Sequence, residues 1–437
     1  MSAADRARAR QWEHATTAPA GRAGRASERP ASLGAVPLRP QVEFPADAAL
    51  PDLPKLFDAG WVAETARPRF PITEVQPKEI RIRQFSHSPG RTATVSYIAE
   101  WRKEDYIPAE FFAVKLDRGK PARLWQYPND HNLPGLRAAA DPAAALRLVL
   151  AHVFDVPRHS RRILRVDMVR YRPGDRAVLR HRFSGLRFYV RVVRPAVVPR
   201  LLGAIEFAER SAFAGPRLAG CWAEGGVLWL PEIPGENMRQ QMRAGSPPEP
   251  DPLLDGLESL WDLSQQADGC RPFDLAGAYR RAERTFRHVL RDDEAGGRAL
   301  EAATRALRPF VESWHPTTIA HNDFYDDQMI VQPDGRVALV DLEEVGPGDP
   351  MLDIGNMLAH LRWADRFGAR RKNDASGAYY REFRQAALDR FGWDERELAL
   401  REAVCLFRVA TNTVRRPKPD WQANTIAGLN LVNETLA

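Results

Sequence analysis

Three side chains between residues 318 and 361 have the types and spacing for work on a phosphate: Asp323, Gln328 five positions later, and Asp341. They stand in TIAHNDFYDDQMIVQPDGRVALVDLEEVGPGDPMLDIGNMLAHL. Transfer of a phosphoryl group to a hydroxyl needs one carboxylate to accept or orient the hydroxyl proton. It also needs hard oxygen donors, an amide and a second carboxylate, to hold Mg²⁺ against triphosphate oxygens. Because the transition state is loosely bonded, the protein mainly positions reactants and neutralises charge, so few side chains are required.

The local elements bring these groups together. Ile330 and Val331, then 337–340, are β-forming runs separated by Gln332-Pro333-Asp334-Gly335, and Asp-Gly is a strong hairpin signal. The loop 321–328 enters one end of that hairpin and Asp341 leaves its second strand, so the antiparallel return sets them side by side.

Upstream, two strand-rich stretches share a layout. IRIRQFSHSPGRTATVSYIAEW followed by EFFAVKL predicts three strands with a turn at Pro89-Gly90. ILRVDMVRYRPGDRAVLRHRF followed by LRFYVRVV predicts three more, with Leu164, Val166 and Met168 on one face and a turn at Pro173-Gly174. A helix is expected over 143–154. Beyond residue 250 the apolar period becomes helical. Leu275, Tyr279, Ala282, Phe286 and Val289 form one stripe, and Leu300, Ala303, Leu307, Phe310 and Trp314 another. Further helices are expected over 376–390 and 395–414. A small sheet joined to a larger helical part makes a cleft, where ligands usually bind.

With 437 residues and 44% hydrophobic content the chain can bury a substantial core. No apolar run approaches the roughly 20 residues of a membrane span, and the N-terminus lacks the apolar centre of a secretory signal, so a cytoplasmic protein is expected. Cys221, Cys270 and Cys405 are far apart and form no CxxC pair, which argues against a disulfide framework or a zinc site and for buried free thiols. A net charge of +6, with the two signs interleaved, requires no nucleic-acid partner. The first 45 residues, rich in Ala, Arg, Gly and Pro, are expected to be a disordered tail. The expected organisation is a β-rich N-terminal module over 46–160, a small lobe over 161–235 and a helical lobe with the catalytic loop over 236–437.

HNDFYDDQ, LVDLEE and GDPMLDIGN together resemble the active-site signature of the aminoglycoside phosphotransferase and choline kinase superfamily. The resemblance implies an α+β, protein-kinase-like bilobal fold with a small antiparallel-sheet N-lobe and a helical C-lobe, here preceded by the extra β-rich module. It implies ATP and Mg²⁺ as cofactors and a small-molecule hydroxyl, on a sugar, aminoglycoside or amino alcohol, as acceptor. By the same resemblance Asp323 is the catalytic base and Asp341 the principal metal ligand, with His321 and Asp353 supporting the loop. GGVLWLPEIPGENM is similar to the family's hinge, where backbone near Leu230 and Glu232 would meet the adenine edge. Arg172-Pro173-Gly174-Asp175-Arg176 falls where the phosphate-covering loop would lie, without its glycine repeat.

Two departures stand out. Gln328 replaces the family's usual Asn but keeps an amide oxygen, as in maltokinase-like members, which also carry an N-terminal module. The family's phosphate-pairing Lys is replaced by Arg191 in FYVRVVRP, and no lysine occurs between Lys120 and Lys372. Arginine binds phosphate through a rigid fork, so the exchange is not conservative. Lys115 in FFAVKL is the less favoured candidate for the missing lysine. Glu206 and Glu209, on the helix after Pro199, are expected partners of Arg191 or else surface acids.

Asp349 before Pro350 is expected to be a helix N-cap. Asp326, Asp327, Glu343 and Glu344 would either draw a cationic substrate or solvate the cleft mouth. His321 on its own is a structural histidine. A rival function follows from the Lys-to-Arg change: a pseudokinase-like nucleotide- or metabolite-binding regulator.

Overall fold

A computed structural model describes residues 46–69, 75, 77–107, 109–153, 163–183, 185–263, 271–368, 374–415 and 420–437. The expected N-terminal tail, Phe154 and Cys270 lie outside them. The chain forms two compact units, one up to Asp130 and one from His131 onward, with Arg415 grouped with the first. The helices at 136–152 therefore belong to the second unit, although the sequence grouped them with the N-terminal module.

In the first unit, α1 (Ala59–Ala66) accompanies an antiparallel sheet of β1 (Glu79–Ser88), β2 (Thr92–Glu100), β3 (Glu110–Asp117) and β4 (Arg123–Gln126) in chain order. The sequence predicts the first three strands. The fourth is only four residues long, too short for a local period to mark it. Val95, Tyr97, Phe112, Val114 and Leu116 pack with Leu53, Leu56 and Val62 in this unit's core. Beside it, Asp47 accepts from the Gly90 N–H at 2.8 Å and sits 2.9 Å from His87 Nε2, both side chains buried.

The second unit begins with α2 (Leu136–Ala140) and α3 (Pro142–His152), the latter capped by Asp141, which accepts from the Ala144 N–H at 2.8 Å. Then come β5 (Leu164–Arg172), β6 (Arg176–Phe183), β7 (Leu186–Val193), α4 (Val198–Arg210), β8 (Gly220–Trp222) and β9 (Val227–Pro231). The strands form one sheet in the order β5-β6-β7-β9-β8. Strict alternation along β6 buries Ala177, Leu179, His181 and Phe183, leaving Arg176, Val178, Arg180 and Arg182 on the other face. Gly174 supplies the turn with φ +71°, a left-handed conformation that favours glycine.

After the sheet the chain passes through Gly235 to β10 (Glu236–Asn237) and α5 (Met238–Ala244). At Gly235, with φ +144°, a Cβ would lie 2.3 Å from the Val331 carbonyl oxygen, so only glycine allows the strand to cross there. The helical part comprises α6 (Pro250–Trp261), α7 (Leu275–Val289), α8 (Glu294–Ser313), and, after the site segment, α9 (Pro350–Phe367), α10 (Ser376–Phe391), α11 (Glu395–Ala410), α12 (Asn412–Arg415) and α13 (Trp421–Leu436). All five predicted stripe residues of α7 are buried. The helix expected over 395–414 breaks at Thr411 into α11 and α12. The architecture is the α+β arrangement expected, with a β-rich N-terminal module and a small antiparallel sheet ahead of a helical part. Among the described residues no helix is long and apolar enough to cross a membrane.

Candidate active site

Short strands frame the site. β11 (Thr318–Ala320) pairs with β14 (Gly346–Gly348), and β12 (Met329–Val331) pairs with β13 (Val337–Leu339) and β10. The β12–β13 hairpin closes through Asp334-Gly335 as the sequence predicts, with Gly335 at φ +84°. The β11–β14 ribbon has no such signal, because three-residue strands carry too little periodicity to read. It brings the segment leaving Ala320 beside the one entering Gly346.

The loop after β11 is fixed from below by Asp353 in the first turn of α9. Its carboxylate accepts from the backbone N–H of His321 at 2.8 Å, from that of Asn322 at 2.7 Å, and from Trp261 Nε1 at 3.1 Å. Burial pushes this carboxyl up to about 7, although the three donors favour its ionised form. Asn322 adopts the left-handed region, with φ +63°. Its Nδ2 donates to the carbonyls of Ala320, Glu344 and Gly346, binding the loop to the segment that follows Asp341. Asn356 Nδ2 donates to the Phe324 carbonyl at 3.1 Å. His321 is fully buried, and its Nδ1 accepts from the Asp323 N–H at 3.3 Å. Burial holds the imidazole down to about 4, so it is neutral, the state a hydrogen-bonding support requires.

Asp323, Gln328 and Asp341 come to one place. The Val340 N–H donates to the Gln328 carbonyl at 2.7 Å, fixing the hairpin end, and the Gln328 side chain hydrogen-bonds Asp323. Burial pushes the Asp323 carboxyl up to about 6, opposed by the Arg408 guanidinium and reinforced by the negative charges of Asp341 and Glu344. Asp341 also sits in the left-handed region at φ +67°, a sparsely populated conformation for a residue other than glycine that the surrounding structure must sustain. Burial would raise its carboxyl, but the Arg191 and Arg176 guanidiniums overcome that and hold it at about 2.

The site corrects several expectations. Arg191 Nη2 donates to Asp341 Oδ1 at 2.7 Å and to Glu343 Oε1 at 3.0 Å, so its partners come from the segment after β13 and not from α4. Glu206 is exposed, 4.0 Å from Arg210 on its own helix, and Glu209 accepts from the Leu218 N–H. Asp326 neither faces solvent nor lies open to a ligand: it is buried in a bidentate pair with Arg239 Nε and Nη2, at 2.9 and 2.7 Å. Glu343 is likewise engaged, by Arg191 and Arg176. Asp327 and Glu344 remain exposed. In the segment expected to be the hinge, the Glu232 N–H donates to the Arg187 carbonyl at 2.8 Å and its carboxylate pairs with Arg187 at 3.1 Å, while Leu230 is buried opposite Tyr189. Lys115 pairs with Asp117 on its own strand in the first unit. Asp349 is the N-cap of α9, its Oδ1 accepting from the Met351 N–H at 2.9 Å.

Sequence reasoning missed Arg176, Arg200, Arg239 and Arg408. Only Arg176 left a signal, since the Pro173-Gly174 turn fixes the β5–β6 register and Arg176 shares its strand face with residues opposite Arg191. Arg408 lies over the Phe273 ring, 4.9 Å from its centroid, and Arg239 bonds a residue 87 positions away. Neither is visible in local pattern.

Residues 171–399 match the APH phosphotransferase enzyme family. No curated protein matches the chain. Among solved structures it is similar to a choline kinase from Cryptosporidium parvum Iowa II, with 9% identity over 67% of this chain and 94% of that one and a TM-score of 0.48. It is also similar to an ethanolamine kinase from Plasmodium vivax, with 10% identity, 67% and 89% coverage and a TM-score of 0.42. A thermostable mutant of aminoglycoside phosphotransferase APH(4)-Ia, in ternary complex with AMP-PNP and hygromycin B, gives 13% identity, 62% and 94% coverage and a TM-score of 0.41. Just over half of its length carries the family match, and the chain belongs to the APH phosphotransferase enzyme family.

Proposed function

We propose that the protein transfers the γ-phosphoryl group of ATP to a hydroxyl of a small molecule, a sugar, aminoglycoside or amino alcohol, with Asp323 as the base. The observation that carries this is the convergence of Asp323, Gln328 and Asp341 at one end of the β12–β13 hairpin, on a loop braced by Asp353. Asp323 is half-buried and raised to about 6, which makes it a better proton acceptor than an exposed aspartate while leaving it mostly ionised near neutrality. His321 and Asn322 hold the loop and take no proton.

The donor set suits Mg²⁺. Asp341 is ionised at about 2, and Gln328 adds a hard amide oxygen. Among the described residues no cluster of three or more His, Cys, Asp or Glu is assembled for an ion, but Mg²⁺ is held by one or two carboxylates together with substrate phosphates. When bound there it would neutralise charge on the phosphate oxygens. Arg191, on the strand facing Asp341, would bind the same oxygens, and the backbone around Leu230 and Glu232 the base. A cytoplasmic location suits a soluble nucleotide donor.

The test is transfer of labelled γ-phosphate by purified protein to sugars, aminoglycosides and amino alcohols. Transfer that Asp323→Ala abolishes, with nucleotide affinity kept, is expected. Full transfer by that variant would remove Asp323 from its role. One observation favours the regulatory alternative: Arg191 stands at the lysine position and engages Asp341 directly. Nucleotide binding without transfer across the whole panel would select it.

A further inference from the structure

We propose that Arg176 is a second phosphate-binding group of this site and that Glu343 is the positioning residue for both Arg176 and Arg191, in place of a glutamate from the helix that follows β7. The inference rests on the phosphotransferase function proposed above.

Register puts the two arginines together. Arg176 is opposite Val193 and Arg191 opposite Val178, so they are diagonal neighbours on one face of the β6–β7 pair. Both reach the same two acids. Arg191 Nη2 is 2.7 Å from Asp341 Oδ1 and 3.0 Å from Glu343 Oε1. Arg176 Nη1 is 3.7 Å from Asp341 Oδ1 and in direct contact with Glu343 Oε2. Each carboxylate oxygen of Glu343 thus holds one guanidinium. Arg200, from α4, donates to the Glu343 carbonyl, so the helix that would ordinarily supply a glutamate supplies an arginine to the glutamate's backbone.

The arginine side chains are only 12% and 11% exposed, and two charges so withdrawn from water need counter-charge in every state of the site. Two guanidiniums against Asp341 and Glu343 balance. Asp341 has a second use as the oxygen ligand beside the phosphates, and when it serves there its share of the arginines' hydrogen bonds must be replaced. Phosphate oxygens match the guanidinium fork and can take over those hydrogen bonds. Glu343 keeps hold of both arginines throughout, as the αC glutamate holds the strand lysine in protein kinases. Arg176 starts the strand directly after the Pro173-Gly174 turn, so the turn acts through a side chain and needs no glycine-rich backbone cradle.

The experiment measures the affinity of full-length protein for AMP-PNP and for adenosine by calorimetry, in wild type, Arg176→Met, Arg176→Lys, Arg191→Met and Glu343→Gln, with melting curves to establish folding. Arg176→Met is expected to weaken AMP-PNP by about tenfold to a hundredfold, the loss of charge-assisted hydrogen bonds. Adenosine affinity is expected to stay unchanged and Arg176→Lys to recover part of the loss. Glu343→Gln should weaken AMP-PNP more than adenosine. Wild-type AMP-PNP affinity in Arg176→Met, while Arg191→Met is impaired, would overturn this inference and leave the proposed function standing. Failure of wild type to bind either ligand would overturn both.

Discussion

Lys115 and Arg191 are each the sixth residue of an eight-residue third strand, in sheets that both begin with a hairpin closed by Pro-Gly. Lys115 lies opposite Thr94 and Arg123, and Arg191 opposite Val178 and Leu228. Their partners differ. Lys115 is 3.5 Å from Asp117, two residues along its own strand, whereas Arg191 bonds Asp341, 150 residues away. A cation on the third strand of a small sheet is therefore no functional signature by itself. What makes Arg191 part of a site is the helical part of its own unit, which returns an acidic segment to its face of the sheet.

The largest effect should come from the acidic side of that contrast. Asp323→Asn keeps the shape of the loop and removes the proposed proton acceptor, so labelled phosphate transfer is expected to fall by about a hundredfold to ten-thousandfold, with AMP-PNP affinity unchanged. Next comes the pair of cations. Arg191→Met should weaken AMP-PNP by about tenfold or more, read by calorimetry. Lys115→Met should leave that affinity where it was and shift stability by less than about 1 kcal/mol, as for a partly exposed ion pair. If the lysine variant lost nucleotide affinity, the two strands would have to exchange roles.

The acids of the two units also part company. Asp341 spends its charge on the site, while Asp47 spends it on folding, buried against His87 and the Gly90 N–H. Burial would raise the Asp47 carboxyl, yet those hydrogen bonds hold it below its ordinary value. A group depressed on folding stabilises above its unfolded pKa, about 4, and loses that contribution as pH falls through the folded value. Asp47→Ala should therefore cost about 2 kcal/mol near neutral pH by leaving buried polar groups unpaired. Its melting temperature should approach that of the wild type below about pH 4. The smallest effect is expected at the turns: Gly90→Ala and Gly174→Ala, both at φ +71°, should each cost about 1 kcal/mol in urea denaturation.

How far the sequence discloses this molecule follows from the range of each interaction. The stripe of α7 and the Asp334-Gly335 hairpin are written in residues a few positions apart, and both are found where the pattern puts them. The Asp349 cap needs only its neighbours Pro350 and Met351. β8, β11 and β14 are three residues each and owe their existence to pairing with distant chain, so no local period marks them. In the same way the convergence of Asp323 and Asp341 could be argued from one hairpin, but the ion partners of Arg191 could not. Glu206 and Glu209 are the first acids after Arg191 in the sequence, and the acids nearest in space arrive from beyond β13.

The most direct test is a crystal structure grown with AMP-PNP and Mn²⁺, the ion located by its anomalous scattering. The account predicts a peak touching oxygens of Asp341 and Gln328, phosphate oxygens on the Arg191 guanidinium, and Asp323 facing the terminal phosphate. A peak away from Asp341, with Arg191 still bonded to that carboxylate and the phosphates elsewhere, would contradict it.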